Sequence, residues 1–182
     1  HGQHVETELR RSNAFELHSI ENTESWIKLV ASQLPSGLKE RCNFHHCALK
    51  ISEFNGRLCT YYYELPDICP DLIYLDGPDQ FSPKGSLRGL TTAHMDRMPM
   101  SADILAIEHF LTPGTLIVVD GRTANARFLR ANLQRDWSYF HSSHMDQHFF
   151  ELTESPLGVY NRRQLDYCLG DKYYERVAKM AN

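Results

Sequence analysis

Two short stretches of the chain end in the same way, and that shared ending constrains the fold more than any other feature. Leu72 to Asp79 reads LIYLDGPD, and Thr115 to Arg122 reads TLIVVDGR, so in each a run of apolar residues stops at Asp-Gly. A continuous apolar run this short has the pattern of a strand buried on both faces of a sheet. Neighbouring parallel strands with this ending put Asp76 and Asp120 side by side on the carboxyl edge, where open α/β sheets take their ligands.

The rest of the chain alternates strand and helix around these two stretches. Phe15 to Ile20 alternates as a strand does, and Glu24 to Leu34 repeats Trp26, Ile27, Val30 and Leu34 at helical spacing, with Asn22 or Thr23 as N-cap. Before them, residues 4–11 read as a short polar helix. Residues 43–49 form a further strand, and Lys50 to Tyr63 is a hairpin pivoting on Asn55-Gly56, the pair that favours a two-residue type I′ turn.

From Gln80 to Met100 no period holds, and a run of that length inside a domain is more often a binding loop than filler. Ser101 is placed to cap a helix from Ala102 to Leu111, Thr123 to Leu133 is another helix, and Trp137–His141 with His148–Leu152 is an antiparallel hairpin. A polar helical tail, Gln164 to Leu169 and Tyr173 to Met180, closes the chain. This order specifies a single α/β domain, residues 1–182, with a doubly wound, mainly parallel sheet and a C-terminal antiparallel hairpin.

Bulk properties remove several function classes. Apolar residues make up 42% and charged residues 23% of the 182, and the formal charge is −4, too acidic to track a nucleic-acid backbone. The longest apolar runs fall far short of the roughly 20 residues needed to span a bilayer. Cys42, Cys47, Cys59, Cys69 and Cys168 are odd in number and lack a framework spacing, as reduced thiols of a cytoplasmic protein do.

Taken together, the residues resemble the class I S-adenosylmethionine-dependent methyltransferases, whose Rossmann-like sheet has an antiparallel last strand. SIEN, residues 19–22, is similar to the acidic tip of the second strand, LIYLDGPD to the fourth, TLIVVDGR to the fifth, and WSYFH with HFFEL to the sixth and seventh. The resemblance implies that Glu21 binds the ribose hydroxyls of the cofactor, with Asn22 beside it, and that Asp76 and Gly77 face its methionine end. Members of the catechol O-methyltransferase type hold magnesium between an Asp after strand four and an Asp-Asn pair after strand five. Here Gly121 replaces that Asn, so a divalent metal is possible but not favoured.

The wording around both aspartates is also similar to methyltransferase-like proteins found with surface-polysaccharide genes, which implies a sugar or other small-molecule acceptor. The family's first strand and glycine-rich loop have no counterpart after His1, so an N-terminally truncated domain is expected. A homodimer is compatible with this reading.

Each candidate residue carries a plainer alternative. Asp76 and Asp120 serve as ligand or base residues, or they cap the turns that follow them. Glu21 is a ribose ligand or an ordinary helix-start acid. Arg122 orients an anionic substrate or pairs with a neighbouring acid. His94, in the long loop with Asp96 and Arg97, is the general-base candidate, because imidazole titrates near neutrality.

Cys42, His45, His46 and Cys47 look like metal ligands, but adjacent strand residues point to opposite faces and no second ligand pair follows at zinc spacing. His141, His144 and His148 read as solvated hairpin histidines. Two rivals to the transferase remain: a non-catalytic Rossmann-like binding module, and a metal-dependent hydrolase or sugar-nucleotide enzyme using Asp76 and Asp120.

Overall fold

In the computed structural model the chain is described over residues 16–181; the polar helix expected at 4–11 and Phe15 lie outside the described residues. The chain separates into two compact units. One comprises residues up to Asp67 together with Pro78–Pro99, the other Ile68–Gly77 together with the chain from Met100 on.

In the first unit β1 (Leu17–Glu21) pairs in parallel with β2 (Cys42–His46), Leu17 lying opposite Cys42 and Glu21 opposite His46. Two helices, α1 (Glu24–Gln33) and α2 (Ser36–Lys39), make the crossover. The apolar stripe of α1 forms as its spacing predicts, yet no residue of that helix is buried and Trp26 is 57% exposed. β3 (Leu49–Phe54) and β4 (Arg57–Tyr62) form the expected hairpin. Asn55 and Gly56 have φ of 49° and 75°, the two positive values a type I′ turn requires.

The run from Gln80 to Met100 is less shapeless than its sequence implies. Lys84 donates its N–H to the Leu49 carbonyl and accepts from the Ile51 N–H, at 3.0 and 2.9 Å, so the segment is fastened along β3. Leu87 and Leu90 exchange both backbone bonds around Arg88-Gly89, where both φ values are positive. An arginine in that conformation is uncommon, which is why composition does not announce the turn.

The second unit contains β5 (Leu72–Leu75), β6 (Leu116–Asp120), β7 (Trp137–Ser142) and β8 (Gln147–Leu152) in the order β5-β6-β8-β7. β5 and β6 are parallel, whereas β8 runs antiparallel to both of its neighbours. A short helix, α3 (Asp103–Ile107), with a 3₁₀ turn at Glu108–Phe110, precedes β6, and α4 (Thr123–Asn132) follows it. The C-terminal helices are α5 (Val159–Cys168) and α6 (Asp171–Met180). Ile117, Val119, His148, Phe150 and Leu152 alternate onto one face of the sheet and are buried. Ile104, Leu105 and Leu111, around α3, are buried as their spacing predicts.

Three expectations need correction. The strands of the described residues form three hydrogen-bonded sheets, two of two strands and one of four, giving a mixed α/β fold with parallel and antiparallel pairs. Periodicity identifies a strand but not its partner, so one continuous sheet was more than the pattern contained. Burial on both faces holds for β6, where Ile117, Val118 and Val119 are buried in succession, but β5 is an edge strand with Leu72 60% and Tyr74 57% exposed.

Ser101 is not the cap of α3, since Ala102 occupies that position. Its N–H is bound instead by Asn125 Oδ1 at 2.7 Å, and its hydroxyl donates to Asp103 Oδ2 at 3.1 Å. The tail also does more than solvate. Tyr173 is wholly buried and donates its hydroxyl to the Glu154 carbonyl, and a Cβ at Gly114, where φ is 90°, would overlap the Leu165 side chain. None of the five cysteines forms a disulfide. Among the described residues no helix is long and apolar enough to cross a membrane.

Candidate functional site

The site is built by register. Leu75 lies opposite Val119, so the next residues of the two parallel strands are Asp76 and Asp120. Each is followed by a glycine in the left-handed region, Gly77 at φ 82° and Gly121 at 59°, which turns the backbone sharply off the sheet edge. Alternation places Tyr74, Asp76 and Asp120 on one face, and Gln147, directly opposite Asp120 on β8, joins them.

Side-chain contacts follow from that arrangement. The Tyr74 hydroxyl donates to Asp120 Oδ2, and Gln147 Nε2 donates to Asp120 Oδ1 at 3.4 Å. Arg122 Nε stands 3.6 Å from Asp76 Oδ1, and its chain passes so close to Gly77 that a Cβ there would sit 3.2 Å from Arg122 Cδ. The Gly121 N–H donates to the Asp146 carbonyl at 2.8 Å, which draws the β7–β8 turn against the tip of β6. Asp76 is the open member, its side chain 75% exposed against 21% for Arg122. The hydrogen bond to Asp120 raises the pKa of Tyr74, helped by burial and by the charges of Asp120 and Asp76.

Behind the same edge, on the opposite face of the sheet, lies a second network. His148 is buried, with Tyr139 Oη 2.8 Å from Nδ1 and Thr123 Oγ1 3.1 Å from Nε2. The His141 ring stacks on it at 4.1 Å. Burial lowers the pKa of His148, and the neighbouring His141 adds to the effect. Thr123 opens α4 one residue after Arg122, so His148 fastens the turn that carries Arg122. Reading His148 as a solvated hairpin histidine is therefore wrong; the hairpin turn lies at Ser143–Asp146, and His148 is already inside the ladder facing the core.

The other candidates sit in the first unit. Glu21, at the tip of β1, accepts from the Asn22 and Thr23 N–H groups through Oε1, at 2.8 and 3.0 Å, and so braces the turn that leads into α1. The Asn22 carbonyl lies 3.2 Å from His46 Nε2. His94 is half exposed and turned toward its own loop, accepting from the Asp96 N–H at 3.1 Å. His94 belongs to the first unit and Asp76, Asp120 and Arg122 to the second, so only the latter three are brought together within one unit.

A divalent metal does not fit the aspartate pair as it stands. Both oxygens of Asp120 face organic donors, and Asp76 Oδ1 faces a guanidinium, so a cation between the two carboxylates would have to displace those donors. Among the described residues no three His, Cys, Asp or Glu side chains gather as a metal site. Cys47 Sγ accepts from the Glu64 N–H at 3.1 Å.

Tyr74, Gln147, Thr123 and Tyr139 are the residues that sequence reasoning missed. Tyr74 was within reach, since it lies two residues before Asp76 and must share its face. Gln147 needed the β6–β8 register, which no local pattern supplies. No family model, no curated protein and no solved structure matches the chain at a significant level.

Proposed function

We propose that the carboxyl edge of the β5–β6 pair is the reacting end of an S-adenosylmethionine-dependent methyltransferase-like protein that methylates a hydroxyl of a sugar-like small molecule. The observation that carries this reading is the set of four polar side chains, Tyr74, Asp76, Asp120 and Arg122, converging on the tips of two adjacent parallel strands. One further feature supports it. The last strand of the sheet in chain order, β8, is the antiparallel one, as in the family the sequence resembles.

The cofactor supplies an electrophilic methyl group. The chain has to hold the acceptor oxygen at near-attack distance and remove its proton. Asp120, braced by Tyr74 and Gln147, is a fixed acceptor for one acceptor hydroxyl. Asp76, the more open carboxylate, receives the proton of the reacting hydroxyl. Arg122, with Nε 3.6 Å from Asp76 Oδ1, positions that carboxylate at the strand tips and adds a guanidinium suited to an oxygen-rich substrate.

Titration calorimetry of the full chain with S-adenosylmethionine and S-adenosylhomocysteine tests the reading, with Glu21→Ala and Asp76→Asn variants in parallel. Micromolar binding is expected, indifferent to Mg²⁺ and weakened at least tenfold by Glu21→Ala. Asp76→Asn is expected to keep most of the binding and lose methyl transfer to a panel of sugars. Absence of binding to either nucleoside overturns the transferase in favour of a non-catalytic binding module.

A further inference from the structure

The face of β7 that holds His148 through Tyr139 continues to Trp137, and beside these two rings lies a cavity that the proposed transfer does not use. Its volume is about 330 Å³, and it is lined by Arg130, Leu133, Arg135, Trp137, Tyr139 and Phe150, all within the second unit. Trp137 and Tyr139 alternate onto one face of the strand, and Phe150 lies directly opposite Tyr139 on β8. The three aromatic residues come from the sheet, Arg130 from the last turn of α4 and Leu133 from its end.

Most polar groups of that wall are already engaged. Trp137 Nε1 donates to Glu108 Oε1 at 2.9 Å, and Tyr139 Oη is 2.8 Å from His148 Nδ1, so both rings are pinned at their polar tips. Arg135 donates Nε to Glu154 Oε1 at 3.0 Å and Nη1 to the Glu108 carbonyl at 2.9 Å. Arg130 differs. Its guanidinium carbon lies 4.4 Å from the centre of the Tyr139 ring, and among the described residues no carboxylate or carbonyl accepts a hydrogen bond from it. A cation–π contact draws on the charge and leaves the fork of N–H donors available.

We propose that this cavity binds a small aromatic carboxylate, its ring against Trp137 and Tyr139 and its carboxylate on the Arg130 fork. The planar fork matches a carboxylate bidentately, and one guanidinium balances one negative charge. An apolar ligand laid over Arg130 would strip water from an unpaired charge, whereas a carboxylate replaces that water with charge-assisted bonds. Arg135 does not compete for the anion, because Glu154 is already paired with it. Glu108 and Glu154 do not repel it from the wall, since neither lines the cavity. Small-molecule sites run from about 300 to 1,000 Å³, so this one suits a ligand of one or two rings.

Titration of the full chain with 2-naphthoate, followed by NMR at the Trp137 indole N–H, tests this. A saturable shift with a dissociation constant of about a millimolar or below is expected for a ligand of this size. The neutral 2-naphthamide, which keeps the rings and loses the charge, should bind roughly tenfold more weakly or worse. Arg130→Gln should lose roughly tenfold or more in affinity for 2-naphthoate while keeping the wild-type circular dichroism, since the side chain is exposed. Arg127→Gln removes a positive charge from the same helix but no part of the cavity wall, and should bind within about twofold of the wild type. Wild-type affinity in Arg130→Gln, equal binding of the amide, or no saturable shift of Trp137 in the wild type would overturn the proposal.

Discussion

The two faces of strand β6 reach the same edge with the same kind of network and different surroundings. On one face Tyr74 and Gln147 hold Asp120; on the other Tyr139 and Thr123 hold His148. Each network is one ionisable side chain gripped from two sides, but Tyr74 is 57% exposed and His148 1%. Water decides what those bonds are worth. An exposed partner that is lost is replaced by solvent, whereas a buried donor or acceptor left alone costs about 1–3 kcal/mol. The closed face is thus built to hold the turn, and the open face is at liberty to trade its protein partners for a ligand.

The largest expected effect comes from a matched pair of aromatic deletions. Phe150 and Phe140 lie on adjacent strands, the first 1% and the second 63% exposed. Phe150→Ala should destabilise the fold by about 3–5 kcal/mol, through lost transfer energy and the cavity left behind. Phe140→Ala should stay within about 0.5 kcal/mol, as exposed substitutions do. Chemical denaturation of both variants checks the contrast. Equal losses would mean that the open face is covered, and the comparison would fail.

His148 comes next. His148→Ala leaves the hydroxyls of Tyr139 and Thr123 without their shared partner and should cost about 1–3 kcal/mol. The same residue sets an acid limit. Its pKa is lowered in the folded state by burial and by His141, while Asp146 opposes the shift and Arg127 adds slightly to it. Below the ordinary histidine value of about 6.5 the unfolded chain therefore binds a proton that the folded chain resists, and stability falls as pH drops. Melting temperature measured from pH 8 to pH 5 should decline in the wild type and decline less in His148→Gln. Glu154, held below the usual carboxylate range by its hydrogen bond to Arg135, adds a loss of the same sign only at lower pH.

These effects mark where the sequence was legible. The strands announced themselves by period, the Asn55-Gly56 turn by its chemistry, and the Asp-Gly endings by abrupt loss of apolarity. All are local signals. The division into three sheets, the edge position of β5 and the inward turn of His148 depend on which strand pairs with which, and local period carries no such information. The two candidate carboxylates were visible because both lie at strand ends. Their hydroxyl and amide partners were not, because Gln147 reaches Asp120 across a ladder between residues 27 positions apart.

A smaller effect separates the networks at the hinge between them. Thr123→Val removes one of the two hydroxyls on His148 while preserving shape, and should cost about 1 kcal/mol. Because Thr123 follows Arg122, it should also loosen the Arg122–Asp76 pair. If the transferase reading holds, the variant slows turnover more than it weakens cofactor binding. A loss confined to stability would show that the closed face serves only the fold.

The smallest expected change in stability belongs to Asp120→Asn, and it gives the sharpest reading of the open face. The side chain is only partly buried and its partners can turn to water, so the fold should shift by no more than about 0.5 kcal/mol. The phenol of Tyr74 should respond far more, since its hydrogen bond to Asp120 is the largest cause of its raised pKa, ahead of burial and of the Asp120 and Asp76 charges. Ultraviolet titration of the phenolate band should therefore show one tyrosine returning toward its ordinary value in the variant. Tyr173, pushed up to about 12 chiefly by burial, and Tyr174, raised by its hydrogen bond to Asp166, should not move. A difference titration against the wild type isolates the one group that changes. If none does, Tyr74 does not hold Asp120 in solution, and the open face loses the bond that makes it comparable to the closed one.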